Sequence, residues 1–165
     1  MFREMRRRRQ LLDPEESEAI LRKMTCGTLA LAGDDGYPYA VPVSYVFTGG
    51  RIYFHSAKAG HKIDALARNE KVSFCVVEQD RIVPAEFTTY FRSVIVFGRA
   101  RIVTDGDERR AALEMLGAKY APGDPQGLRR EIEKDGDRLH LVAIEVEHMT
   151  GKEAIELANP PRGRS

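Results

Sequence analysis

The chain has 165 residues and a mass of 18.6 kDa, the size of one domain, long enough to bury a core without disulfide staples. Its 26 Lys plus Arg balance 25 Asp plus Glu, but Arg3, Arg6, Arg7, Arg8 and Arg9 crowd the first nine residues, so the body from Gln10 onward carries 21 cations against 24 anions. A basic end on a near-neutral body gives no basic face for nucleic acid, and no apolar run approaches a membrane span or a secretory signal, so a soluble, cytoplasmic protein is expected.

A helix starts at Asp13-Pro14-Glu15-Glu16: Asp13 can cap, Pro14 suits the first position and the glutamates suit the positive end of the helix dipole. Ile20, Leu21 and Met24 give it an apolar stripe, and Gly27 offers a stop. Strand-like runs follow at 28–32, 37–47 and 51–56, separated by Gly33-Asp34-Asp35-Gly36 and Thr48-Gly49-Gly50, as in an antiparallel meander. A short helix over 61–69 leads to a strand at 71–78 with Val72, Phe74 and Val76 on one face. The next strand, between Phe87 and Thr104, is long, and Gly98 in its middle predicts a bend or bulge; Val94, Val96, Ala100 and Ile102 form its inward set. Helices at 107–120 and 127–135 precede a last strand at 139–148, with Val142, Ile144 and Val146 on one side. Residues 1–155 are expected to form one domain and 156–165 a mobile tail. Six or seven strands joined by tight turns point to a small antiparallel barrel with short helices, and the Rossmann and P-loop glycine patterns are missing.

Most chemistry-bearing residues have an ordinary reading. Cys26 and Cys75 lie 49 positions apart, as expected for reduced, buried thiols. His140 and His148 are eight strand positions apart, about 26 Å, and His55 and His61 have no carboxylate or cysteine cluster, so no metal site is expected. No nucleophile elbow or Ser-His-Asp set supports hydrolysis. The loop Ser56 to Lys62 differs. It joins a strand end to a helix start, and free amides, the Ser56 hydroxyl, Lys58, Lys62 and the flexible Gly60 could cradle a phosphate or form an ordinary solvated turn. Pro42 cannot donate to a ladder, so its strand is an edge or is locally distorted, leaving backbone groups of Val41, Val43 and Ser44 for a planar ligand. Tyr39, Tyr45, Tyr53 and Phe54 read as core aromatics.

Several stretches, in order over residues 4–153, resemble one family. They are Glu4-Met5-Arg6-Arg7, Gly27-Thr28-Leu29-Ala30, Pro38 to Tyr45, Ile52 to Ala57, Gly60 to Asp64, Tyr90 to Ala100 and Thr150-Gly151-Lys152-Glu153. Together they resemble the nitroimidazole-resistance branch of the pyridoxamine 5′-phosphate oxidase-like flavin-binding proteins. The resemblance implies a mainly β, six- to seven-stranded antiparallel split β-barrel, a homodimer, and FMN held between the two subunits. It places Val41, Pro42, Val43 and Ser44 along the flavin ring, His55 and Ser56 at the ring face or ribityl chain, and Lys58, His61 and Lys62 at the phosphate. Arg92, Ser93 and Lys152 complete the implied cofactor set. Phe91 is an extra residue before Arg92, and Met149 stands where relatives carry tryptophan, in a chain that has none.

By the same resemblance His55 is the candidate catalytic residue, because an imidazole that exchanges its proton near neutral pH can serve an acceptor beside the ring. The implied function is an oxidoreductase, recharged by NAD(P)H or another reductant, that passes electrons from FMN to a small organic acceptor such as a nitro compound. Alternatives are a non-catalytic flavin carrier or sensor, and a split barrel holding haem or a deazaflavin. Pyridoxamine phosphate oxidation itself is not expected, since that enzyme's substrate-binding motifs are missing.

Overall fold

A computed structural model describes residues 1–135 and 138–158, with only the backbone of Asp135. Helix α1 (Pro14–Lys23) begins as its sequence dictates, with Asp13 Oδ1 accepting the Glu16 N–H at 2.8 Å. Seven strands follow: β1 (Cys26–Ala32), β2 (Pro38–Ser44), β3 (Val46–Thr48), β4 (Arg51–Ala57), β5 (Lys71–Val83), β6 (Thr88–Ile102) and β7 (Leu139–Glu153). Helix α2 (His61–Arg68) separates β4 from β5; α3 (Gly106–Tyr120) and α4 (Pro125–Asp135) separate β6 from β7; α5 (Ile155–Ala158) ends the described chain. Residues 156–158 of the expected tail are therefore helical, and 159–165 lie outside the described residues. None of the described helices is long and apolar enough to cross a membrane.

All strand pairs are antiparallel, in the order β2-β1-β5-β6-β7-β4-β3. The run 37–47 is not one strand: it divides at Tyr45 into β2 and β3, the two opposite margins of the sheet. With one residue between them the margins must converge there, and the sheet curls into a split barrel. Pro42 lies on β2 opposite Thr28 and so sits on an edge strand, where its missing N–H is tolerated.

The barrel interior is filled by Leu29, Phe54, Phe74, Val76, Val94 and Val96, with Leu12, Ile20 and Leu21 from the α1 region closing one end. Gly151 makes that closure possible, since a Cβ there would lie 2.1 Å from Ser17 Oγ and 2.9 Å from Leu12 Cβ. A second apolar layer packs α3 through Ala112, Leu113 and Leu116 on Tyr53, Leu141 and Ala143. Strand β7 is consequently buried on both faces over 141–144, where the sequence pattern predicts only one buried side.

Gly98 marks a bulge, with the register against β7 shifting between Phe97 and Gly98. The inward face changes phase beyond Ala100, so Val103 is buried and Ile102, expected inside, is exposed. Cys26 is exposed and Cys75 half-buried, against the expectation of two buried thiols, because Cys26 opens β1 at the barrel rim.

Candidate flavin site

Strand β4 carries Phe54 into the core and, by alternation, turns His55 outward. Ser56 is half-buried, and after Lys58 in an exposed turn the chain enters α2 through Gly60, whose φ of +126° few side chains could adopt. The Gly60 carbonyl accepts the Ile63 and Asp64 amides, while the two amides before them open the helix without an intrahelical partner. Lys62 is half-buried. Its Nζ donates to Ser56 Oγ at 3.4 Å and lies 5.8 Å from the Phe54 ring centre, and it has no carboxylate partner among the described residues. Burial pushes its ammonium below the ordinary lysine pKa. His61, by contrast, is engaged by protein: its ring stacks on Tyr39 at 4.1 Å, with Nε2 3.3 Å from Asp34.

Ser44 and His55 share the wall of a cavity of about 460 Å³. Its remaining wall is Leu113, Leu116, Gly117 and Tyr120 of α3, Leu128, Glu131 and Ile132 of α4, and Leu139 of β7. Gly117 lets the helices close on each other, since a Cβ there would meet Leu128 Cδ1 at 2.1 Å. At the α4 start, Asp124 Oδ1 accepts the Gly127 N–H at 2.7 Å. The helical wall was not assigned to the site from sequence. The signal was present: apolar residues at 113, 116, 128 and 132 fall three or four apart on surface helices, a stripe that needs something to cover.

Beside Ser44 the barrel is latched. Tyr45 has no exposed surface, and its hydroxyl donates to the Leu21 carbonyl at 2.8 Å. Its backbone N–H donates to Tyr120 Oη at 2.8 Å; that hydroxyl has the Tyr45 carbonyl (2.9 Å) and the Thr25 carbonyl as acceptors for its own proton. Lys119 Nζ adds donations to the Met24 carbonyl (2.5 Å) and the Tyr45 carbonyl (3.1 Å) and lies over the Tyr45 ring. Burial raises the Tyr45 and Tyr120 phenols and lowers the Lys119 ammonium.

Of the remaining candidates, Pro42 is exposed, whereas Val41 is half-buried and Val43 points into the core, so backbone is what those two can present. Arg92, Ser93 and Lys152 form a separate group. Ser93 pairs with Lys152 and Arg92 with Glu153 across β6 and β7, and the Lys152 Nζ lies 5.3 Å from the Phe91 ring centre. The Arg92 guanidinium approaches Glu16 (3.0 Å), Glu153 (3.2 Å) and Glu78 (3.5 Å), linking α1, β5, β6 and β7. Because His55 pairs with Leu141, Lys152 lies eleven residues along β7 from it, roughly 35 Å on an extended strand. Along the strand the two groups therefore stand apart. Met149 occupies the expected tryptophan position, half-buried against the core.

A family model for pyridoxamine 5′-phosphate oxidase matches residues 13–153, from the α1 cap to the end of β7. The chain belongs to the pyridoxamine 5′-phosphate oxidase family. The chain is 32% identical over 155 residues to the protein RA0666 of Rhizobium meliloti, covering 88% of this chain and 95% of that one. Among solved structures it resembles an FAD-binding protein from Mesorhizobium loti (26% identity, TM-score 0.66, 88% and 97% of the two chains). It also shares its fold with a candidate 5-nitroimidazole antibiotic resistance protein from Bacteroides thetaiotaomicron (23% identity, TM-score 0.70, 87% and 86% covered). The seven-stranded antiparallel sheet is that of a split-barrel member of the pyridoxamine 5′-phosphate oxidase family.

Proposed function

We propose that this family member binds FMN and passes electrons from the reduced flavin to a small organic acceptor, a nitro compound being one candidate. The observation that carries the reading is Lys62, a desolvated ammonium with a ring and the hydroxyl of Ser56, the residue after His55, beside it and no carboxylate partner among the described residues. A phosphate dianion supplies the charge this site lacks, and the Ser56 hydroxyl and the first amides of α2 add donors. The donor set therefore fits a flavin mononucleotide tail.

When bound, the flavin supplies two-electron chemistry that no side chain can. The chain's own residues do the rest. Lys62, Ser56 and the Lys58 turn hold the phosphate; the exposed edge of β2 over Val41 to Ser44, where Pro42 removes one donor, offers backbone groups to the ring edge. His55 holds a proton at a ring nitrogen on the cavity wall, where an acceptor can take it. The leucines and Ile132 of α3 and α4 exclude water from that space and favour an apolar, planar acceptor. Arg92, Ser93 and Lys152 stand apart from the His55 wall along the strands, which supports a homodimer in which a second copy supplies them.

The test begins with the visible spectrum of the purified protein and the mass of any released cofactor. A colourless protein that fails to take up added FMN overturns the reading. Lys62→Ala is expected to weaken FMN binding by about 1–3 kcal/mol. Anaerobically reduced protein should reoxidise on addition of a nitro acceptor; reoxidation no faster than the buffer control would make the protein a flavin carrier instead. NAD(P)H is tested as the donor in the same cuvette.

A further inference from the structure

The cavity beside His55 is larger than a single-ring acceptor needs. About 150 Å³ of apolar space is enough to hold one benzene ring, and this cavity, at about 460 Å³, offers roughly three such volumes. Its wall is uneven: Ser44 and His55 of the sheet are polar, whereas Leu113, Leu116, Leu128 and Ile132 of the helices are apolar. With the flavin at Ser44 and His55, the electron-accepting group of the ligand takes one ring-sized volume there, and two remain for its apolar body. An anionic body is disfavoured twice, by the hydrocarbon it would have to enter and by the Glu131 carboxylate of the lining.

One contact between the helices sets how much of that space stays open. On α3, Leu113, Leu116, Gly117 and Tyr120 recur three and four apart and so share a face toward the cavity. Leu128 answers from the first turn of α4, where its own N–H donates to the Asp124 carbonyl at 3.0 Å and the Gly127 N–H to Asp124 Oδ1 at 2.7 Å. Its side chain is seated on Gly117: a Cβ at 117 would lie 2.1 Å from Leu128 Cδ1, 2.3 Å from Cδ2 and 2.7 Å from Cγ. With the backbone pinned at Asp124 and the side chain seated in the notch at 117, the reach of Leu128 into the cavity is fixed. We propose that Leu128, positioned by Gly117, is the specificity-determining residue of this cavity, and that it selects an uncharged aromatic acceptor with a body of two fused rings. The direction in which the acceptor group faces rests on the flavin reading above; the size limit is a property of the two helices alone.

The experiment is equilibrium dialysis of the oxidised, FMN-loaded protein against nitrobenzene, nitronaphthalene, nitroanthracene and a nitronaphthalenesulfonate, so that no turnover is needed. Nitronaphthalene should bind at least tenfold tighter than nitrobenzene, nitroanthracene no tighter than nitronaphthalene, and the sulfonate at least tenfold more weakly. Leu128→Ala should tighten nitroanthracene at least tenfold. Gly117→Ala, which drives Leu128 from its notch, should abolish the preference for two rings. The double variant should match Leu128→Ala alone, because the added methyl then enters space the leucine has left. An unchanged order of ring sizes in Leu128→Ala, additive effects in the double variant, or a sulfonate bound as well as its neutral parent overturns the proposal. So does displacement of FMN by nitronaphthalene, which would make the cavity the seat of the flavin ring itself. Repeating the dialysis without FMN separates the two readings: a protein that takes up no flavin yet keeps the ring-size order refutes the oxidoreductase and leaves the Leu128 limit standing.

Discussion

Tyr120→Phe removes one oxygen from the place where the two margins of the sheet meet. The hydroxyl accepts the Tyr45 N–H and is within donating reach of two carbonyls, but the three losses are unequal. The Tyr45 carbonyl retains Lys119 Nζ at 3.1 Å, and the Thr25 carbonyl lies where water can replace the phenol. The Tyr45 N–H is left without its partner, and a partly buried donor so orphaned costs about 1–2 kcal/mol. In urea, with a slope near 2 kcal/mol/M for a domain of this size, the unfolding midpoint should fall by roughly 0.5–1 M with the slope unchanged. Lys119→Met should cost a similar amount through the other half of the latch. A Tyr120→Phe midpoint within about 0.2 M of the parent would refute the reasoning and show that water serves the joint as well as the phenol does.

Gly98→Ala places a Cβ 2.2 Å from the Glu145 carbonyl oxygen and 2.9 Å from Ile144 Cγ2, so the bulge must open, at about 1–3 kcal/mol read from the same urea titration. Arg92→Met leaves Glu78 and Glu153, both largely shielded, facing each other with only Lys23 (2.9 Å from Glu78) in partial compensation; a loss of about 1–3 kcal/mol should lower Tm by roughly 3–8 °C, and an unchanged Tm would exclude a structural role for the guanidinium. Because burial lowers the Lys62 pKa, its charge is lost earlier on alkalinisation than that of a free lysine. FMN affinity should therefore fade as pH rises through that lowered value, and Lys62→Arg, which stays charged, should carry the affinity to higher pH; identical pH profiles would remove Lys62 from the phosphate site.

The barrel was legible because its strands obey a two-residue rhythm that burial enforces: Val72, Phe74 and Val76 on β5, and Val94, Val96 and Ala100 on β6, point where alternation says. Gly98 announced its bulge for a steric reason, the closeness of the Glu145 carbonyl. Where two layers compete, alternation fails. Leu141 and Ala143 are buried by α3, which ends some twenty residues before them, and no local pattern in β7 says that a helix will cover its second face. The break at Tyr45 was hidden because Val-Ser-Tyr-Val-Phe continues the strand pattern through it; the interruption comes from barrel closure and from the Lys119–Tyr120 latch some 75 residues on. At the site, the Ser56–Lys62 cradle could be read from its strand-to-helix position, whereas the cavity wall facing His55 depends on how α3 and α4 pack, visible in sequence only as an apolar stripe without an address.

One short run, from Pro38 to Thr48, supplies both margins of the sheet. Its length is therefore a circumference. A residue inserted between Gly49 and Gly50, where a side chain would meet only solvent, lengthens a loop and leaves the β3–β4 register in place. A residue inserted next to Tyr45 changes how far apart the margins stand and shifts Ser44 relative to His55 across the gap. Variation among relatives of this chain should accordingly accumulate at 49–50 and be nearly forbidden in register at 44–46, and a polypeptide cut at that joint would have two bare edges free to pair with other chains.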